Sequence, residues 1–329
     1  MSVAGATSRL ARLQQALTLS LGVFVVGWAA MAWALGRPAW MALGAGIVVA
    51  GYALVMALEF VLVACLHDGD PAPRATARQL LRAWWGEVTT APVVFCWRQP
   101  FFWDAVPDRP DVGPGRRGLV LVHGFVCNRG LWTPWLRELT RQGHPFVAVN
   151  LEPVFGSIDD YADTIEAAVR RIEVATGLPP VLVCHSMGGL AARAWLRRWR
   201  SYDRVHRVIT IGTPHHGTWL ARFGLANNTR QMRLAHAWLE ALASEEPASC
   251  RRRFTCFYGH CDNIVFPAST ATLAGADNRH LEATAHVRMA FHPAVWDEAM
   301  RWLSVVEGGD AQPPEVPQDR RLQMRYSTS

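Results

Sequence analysis

The stretch Val181-Leu182-Val183-Cys184-His185-Ser186-Met187-Gly188-Gly189-Leu190 most narrows what this chain can fold into. A valine-rich apolar run stops at a serine, two glycines follow, and Ala191 to Leu196 reads as helix. Strand, sharp turn and helix make the setting of a nucleophile elbow. There a strained turn lifts the serine hydroxyl clear of a sheet, and the helix start behind it offers backbone N–H groups to an oxyanion. The side chains two before and two after the serine must be small, because the turn brings them together. Gly188 meets that need, and Cys184, where glycine is commoner, is still small. An ordinary strand-to-helix turn is the alternative.

Three further stretches bear on the elbow. Gly118-Leu119-Val120-Leu121-Val122-His123-Gly124-Phe125 reads as a buried strand ending in His-Gly-Phe. Val205 to Ile211 reads as another strand and runs into Gly212-Thr213-Pro214-His215-His216-Gly217-Thr218. Arg253 to Tyr258 is a third, followed by Gly259-His260-Cys261-Asp262-Asn263-Ile264-Val265; Ala285-His286-Val287-Arg288-Met289 comes next, before a closing helix. Between these, Leu131 to Gln142 and Ile158 to Thr176 have helical spacing, and Pro145 to Leu151 and Leu281 to Thr284 read as strands.

Together these motifs resemble the bacterial lipase and esterase branch of the α/β-hydrolase superfamily, over roughly residues 117 to 305. The resemblance implies an α/β-hydrolase fold with a mostly parallel, doubly wound sheet. It implies Ser186 as nucleophile, Asp262 as the acid in a D-x-x-V setting and His286 as the base. The backbone N–H groups of Phe125 and Met187 would form the oxyanion hole, where two preorganised donors stabilise the charge of a tetrahedral intermediate. It also implies carboxylic esters as substrates, lipids among them, and no cofactor. Asp277 competes with Asp262 for the acid, and His280 and His292 compete with His286 for the base, all compatible with the order Ser, Asp, His. His123 reads as a structural residue of its loop. The pair His215 and His216 is a poor metal site, because adjacent residues do not easily reach one ion in tetrahedral style.

The N-terminal part lies outside that resemblance. Ala16 to Leu35 is almost wholly apolar, and after Gly36-Arg37-Pro38 a second apolar run extends to about Leu66, broken only by Glu59. Each is long enough for a bilayer, which takes about 20 helical residues. A transmembrane helical hairpin is expected, with buried soluble helices as the alternative. Glu59 is costly in a bilayer unless it sits at the interface, faces the partner helix or is protonated. Half of the 329 residues are hydrophobic, and the mean hydropathy of +0.07 is high for a soluble enzyme. Arg9 and Arg12 precede the first run, Arg37 alone lies between the two, and Arg74, Arg78 and Arg82 follow, so the positive-inside rule puts both chain ends in the cytoplasm. The net charge of +6 comes from arginines without a single lysine. No arginine-rich run with interleaved aromatics forms a recognisable nucleic-acid motif. Seven scattered cysteines, an odd number, read as reduced thiols.

The expected organisation is a membrane anchor over 1–66, a linker with edge elements over 67–116, a catalytic domain over 117–306 and a disordered tail over 307–329. In the linker, Ala75 to Val88 reads as an amphipathic helix, either on the membrane surface or packed on the domain, and Val93 to Trp103 as one or two edge strands. The segment 219–243 is a candidate cap over the site, or else packed core. The expected activity is ester hydrolysis through an acyl-enzyme. A thioesterase, amidase or acyltransferase on the same residues is one alternative, and a non-catalytic membrane-tethered binding protein is another.

Overall fold

The structure is a computed structural model that describes residues 8–67, 69–113 and 115–304. The expected 307–329 tail lies outside the described residues. Six parallel strands form one sheet in the order β2-β1-β3-β4-β5-β6. They are β1 (Leu119–Val122), β2 (Phe146–Ala148), β3 (Val181–His185), β4 (Arg207–Ile211), β5 (Phe254–Tyr258) and β6 (Asp277–His280). The first five are buried along their whole length, as a parallel sheet covered on both faces requires.

The period of two along the strands sorts side chains into two cores. Val120, Val122, Leu182, Cys184 and Val208 pack on one face, against α6 (Ala162–Thr176) and α7 (Met187–Trp199). Leu119, Leu121, Val181, Val183 and Ile209 pack on the other, against α5 (Thr133–Gln142) and α12 (Pro293–Ser304). α5 and α6 end at Gly143 and Gly177, whose φ of +69° and +74° favours glycine and stops the helix. Each fully buried aliphatic side chain contributes about 1.5–3 kcal/mol, so these layers dominate stability.

Ahead of the sheet, α1 (Arg9–Ala34) and α2 (Met41–Cys65) form an antiparallel pair. At their crossing a side chain on Gly44 would stand 2.7 Å from Trp28, so only glycine allows this approach. Both helices are long and apolar enough to cross a membrane. Apart from Ala32 and Gly44, the buried residues lie at the ends nearest the sheet domain: Leu10, Ala11 and Gln14 on α1, Phe60 and Val63 on α2.

Two expectations are corrected. Val93 to Trp103 forms no edge strand. A capping box of Thr76 and Gln79 starts α3 (Ala77–Pro92), which runs on as a π-helix over Val93–Arg98 and as α4 (Gln99–Phe101). Pro92 has no N–H for the i→i−4 ladder, and wider π turns follow it. The β-branched and aromatic residues here have strand propensity, but packing overrides it: Val94 is buried in the second core, and Gln99 bonds Gln14 of α1 at 2.8 Å. Leu281 to Thr284 is also not the last strand. The polar run Asp277–His280 is, because at a sheet edge half-burial suffices and Arg279 pairs with Asp277 and Glu298 at 2.7 and 2.8 Å.

The segment 219–243 holds a 3-10 turn, Trp219–Phe223, then α8 (Asn227–Gln231) and the start of α9 (Ala237–Glu245); α10 (Ala248–Arg251) follows. Leu239 and Leu242 of α9 are buried in the first core, while Phe223 and Leu225 are exposed. It is therefore part packed core and part apolar surface. Just beyond α9, Glu246 holds Arg193 of α7 in a bidentate pair at 2.8 and 2.9 Å, both side chains buried. Glu246→Ala strands a buried charge and is expected to cost about 3–5 kcal/mol. Arg193→Met with Glu246→Leu removes both charges and should recover most of that loss. Denaturant unfolding of the three proteins in detergent checks the order.

Candidate active site

The site is assembled from the C-terminal ends of the strands. Ser186 follows β3 directly and has φ +54° and ψ −129°, a strained conformation for a residue with a side chain, costing about 1–3 kcal/mol. Its surroundings hold it there. Its N–H donates to Ile211 O at 2.8 Å, and Thr213 Oγ1 donates to its carbonyl at 2.8 Å. A side chain on Gly188 would meet the carbonyl oxygens of His123 and Val122 at 2.6 and 2.7 Å, and one on Gly124 would meet Ser186 Cβ at 2.7 Å. Here the loop after β1, which carries Phe125, abuts the elbow. Met187 begins α7, where first-turn N–H groups have no intrahelical partner.

Asp262 lies in the turn after β5, and His286 begins the short helix α11 (His286–Met289) after β6. His286 Nδ1 and Asp262 Oδ2 are 2.9 Å apart, both residues buried. Asp262 Oδ1 accepts from the N–H groups of Ile264 and Val265 at 2.9 and 2.8 Å, which aims Oδ2 at the imidazole. Burial alone would lower the His286 pKa, but the charge of Asp262 and its hydrogen bond outweigh that and raise it above the usual 6.5. The Ser186 hydroxyl makes no direct hydrogen bond to the His286 ring among the described residues; such bonds often tighten only with substrate present. The backbone brings them close. His185 Nε2 bonds the His286 carbonyl at 3.1 Å. Gly212, next to the Ile211 that holds Ser186, lies where a side chain would stand 2.9 Å from Asp262 Oδ2 and 3.0 Å from His286 Nδ1.

The competing residues lie apart from this pair. Asp277 is in β6 and pairs with Arg279. The His280 ring lies 4.5 Å from that of His260. His292 accepts from Ala294 N–H at the start of α12. His123 Nε2 accepts from Leu151 N–H at 3.0 Å, so its proton sits on Nδ1; burial pushes its pKa down to about 4. His215 bonds Thr210 at 3.1 Å. Among the described residues, no group of three side chains is arranged to hold a metal ion.

Several neighbours of the site escaped sequence reasoning. Asn263 Oδ1 accepts from His286 N–H at 3.2 Å, and Asn263 Nδ2 donates to Glu59 Oε2 at 2.6 Å. Glu87 of α3 accepts from the N–H groups of Val287 and Arg288 at 2.9 and 3.2 Å. Burial pushes the Glu87 carboxyl up to about 7, against the pull of those bonds and of His286. Glu87 shares a helix face with Ala83, Thr90 and Ala91, all buried, while the larger apolar Leu81 and Trp85 are exposed, so hydropathy gave no sign of it.

Gly212→Ala places a methyl group between Asp262 and His286 at a φ of +55°. Gly143→Ala has a similar φ, +69°, but meets only Arg116 Nη1 at 3.5 Å. Backbone strain costs both about 1–2 kcal/mol. Both variants should melt earlier, but only Gly212→Ala should displace the His286 ring resonances in NMR.

Residues 119–329 match the model of the alpha/beta hydrolase family. Among solved structures, the mature form of Bacillus licheniformis lipase BlEst2 aligns at 19% identity and TM-score 0.51, over 61% of this chain and 96% of that one. Its propeptide form aligns at 19% and 0.51, over 61% and 52%. Aspergillus fumigatus lipase B aligns at 19% and 0.47, over 55% and 51%. At 19% identity the likeness to the two BlEst2 forms is one of fold. No curated protein matches the chain.

Proposed function

Since the chain belongs to the alpha/beta hydrolase family, we propose that it is a serine hydrolase that cleaves carboxylic esters, with lipid or other acyl esters as substrates. The observation that carries this reading is the 2.9 Å pair of His286 and Asp262 beside a serine strained at a strand-to-helix turn. In this reading Ser186 Oγ attacks the acyl carbonyl. His286 takes its proton through Nε2 and returns it to the leaving alcohol. Asp262 fixes the tautomer and stabilises the imidazolium. The N–H groups of Phe125 and Met187 stabilise the tetrahedral oxyanion, and water then releases the acyl group from Ser186. Ser186→Ala should abolish hydrolysis of a graded ester panel and labelling by a fluorophosphonate while the protein stays folded. An intact wild-type protein that never labels would favour the binding-protein alternative.

The pH dependence has a definite sign. The base must be neutral to accept a proton, and its pKa lies above 6.5. Activity should therefore fall as pH drops through a midpoint above 6.5, and Asp262→Asn should move that midpoint down. The kcat/KM profile of the free enzyme reads this directly.

The reading includes a membrane hairpin over 1–66, a connector over 67–116 and a catalytic domain over 117–306, with 219–243 as its cap. Its support is apolar surface: Val23, Val26 and Leu54 are each about 70% exposed, a state water does not favour for two entire helices. We place both chain ends in the cytoplasm, on the arginine asymmetry. The protein should stay in membranes through high-salt washing, since burial of apolar helices is insensitive to ionic strength. In intact spheroplasts a C-terminal tag should survive external protease; its cleavage would reverse the orientation.

A further inference from the structure

The helices ahead of the catalytic domain touch the candidate site through two carboxylates. Glu59 lies near the C-terminal end of α2 and holds the Asn263 side chain at 2.6 Å, and Asn263 in turn takes the His286 N–H at 3.2 Å. Glu87 on α3 takes the next two N–H groups, those of Val287 and Arg288. Three consecutive amides of the first turn of α11 thus end on side chains that Glu59 supports or Glu87 supplies. Such amides have no partner within their own helix, and hydrogen bonds to an ionised acceptor are the strong ones. An apolar cluster of Phe60, Ala83, Cys261 and Ala285 closes the gap between α2, α3 and the two site loops. Arg288 Nη1 also donates to Thr90 Oγ1 at 3.2 Å, tying α11 to α3 a second time.

We propose that Glu59 and Glu87 are positioning residues for His286, so that the hairpin and its connector belong to the catalytic machinery as well as to the anchor. The proposal rests on the serine-hydrolase reading. The carboxylates act through Asn263 and the first turn of α11, which fix the backbone that carries the imidazole. They also add negative charge near it. The groups facing His286 are Asp262 from the turn after β5, Glu87 from α3, Glu59 from α2 and His185 from β3, with Arg288 beside it on α11. Both added carboxylates favour the protonated ring while they are ionised, which for Glu87, pushed up to about 7 by burial, means near and above neutral pH.

The test uses the full chain in detergent micelles. Glu87→Ala should lower kcat about tenfold, the loss expected for a hydrogen bond to a charged group, with KM within about twofold. Glu87→Gln and Glu59→Gln keep the side-chain volume, and they carry the test if the alanine variant does not fold. Each should lower kcat and shift the acid limb of the kcat/KM profile to lower pH. NMR titration of the His286 ring gives a readout free of turnover and should show the same downward shift. Wild-type kcat together with a wild-type ring midpoint in both glutamine variants would overturn the proposal. A wild-type protein inert to esters and fluorophosphonate, but with the ring midpoint lowered by Glu87→Gln, would sink the hydrolase reading and leave the positioning role standing.

Discussion

A parallel sheet covered on both faces sends every strand out at the same edge, and the candidate site follows from that constraint. β1 delivers the Gly124–Phe125 loop, β3 the strained Ser186, β4 the Gly212 turn, β5 the Asp262 turn and β6 the approach to His286. Residues scattered over more than 160 positions of sequence meet because their strands are neighbours in register. The contacts between the loops are backbone-tight, as the clash distances at Gly124, Gly188 and Gly212 record. With so little slack, the strain at Ser186 is held by its surroundings rather than relieved.

The electrostatics of the site are set by burial. Asp262 and His286 are almost fully shielded from water, so their mutual attraction is weakly screened. Burial keeps the nearby His185 and His123 uncharged, pushing them down to about 3 and about 4. Of these three rings only His286 has carboxylates arrayed around it, and only His286 is raised. One imidazole is thereby singled out to take up a proton more readily than a free ring, while its neighbours serve as hydrogen-bonding struts.

Much of this architecture was legible in the sequence where the signal was local. The valine-rich runs of β1 and β3 and the helical spacing of 158–176 are short-range patterns, and the structure has strands and helix there. The glycines around Ser186 announced a tight turn. Two kinds of feature were not legible. β6 is polar because it lies at an edge, so hydropathy pointed to Leu281–Thr284 instead. The run after Pro92 has strand-like residues, yet it continues a helix because Val94 is buried in the second core and Gln99 accepts from Gln14 of α1. The links from Glu59 to Asn263 and from Glu87 to α11 join positions about 200 residues apart, and nothing periodic encodes such a pairing.

The docking of the α1 and α2 ends on the sheet domain also sets a height. Residues up to about Gln15 on α1 engage the connector, and α2 engages it from Tyr52 and Ala53, which bond Val88 and Trp84 of α3, onward to Glu59 and the turn after β5. This leaves about 20 residues of α1 but only about 10 of α2 beyond these contacts. At about 1.5 Å per residue the free part of α1 is about 30 Å, the thickness of a bilayer's hydrocarbon core, while that of α2 is about half of it, so α3 would dip into the bilayer beside α2. In the proposed membrane arrangement no length remains for a stalk. The domain would ride flush on the lipid headgroups, unable to reach a droplet or micelle some distance away. Its working range would be a thin shell at the bilayer surface, sampled by lateral diffusion alone.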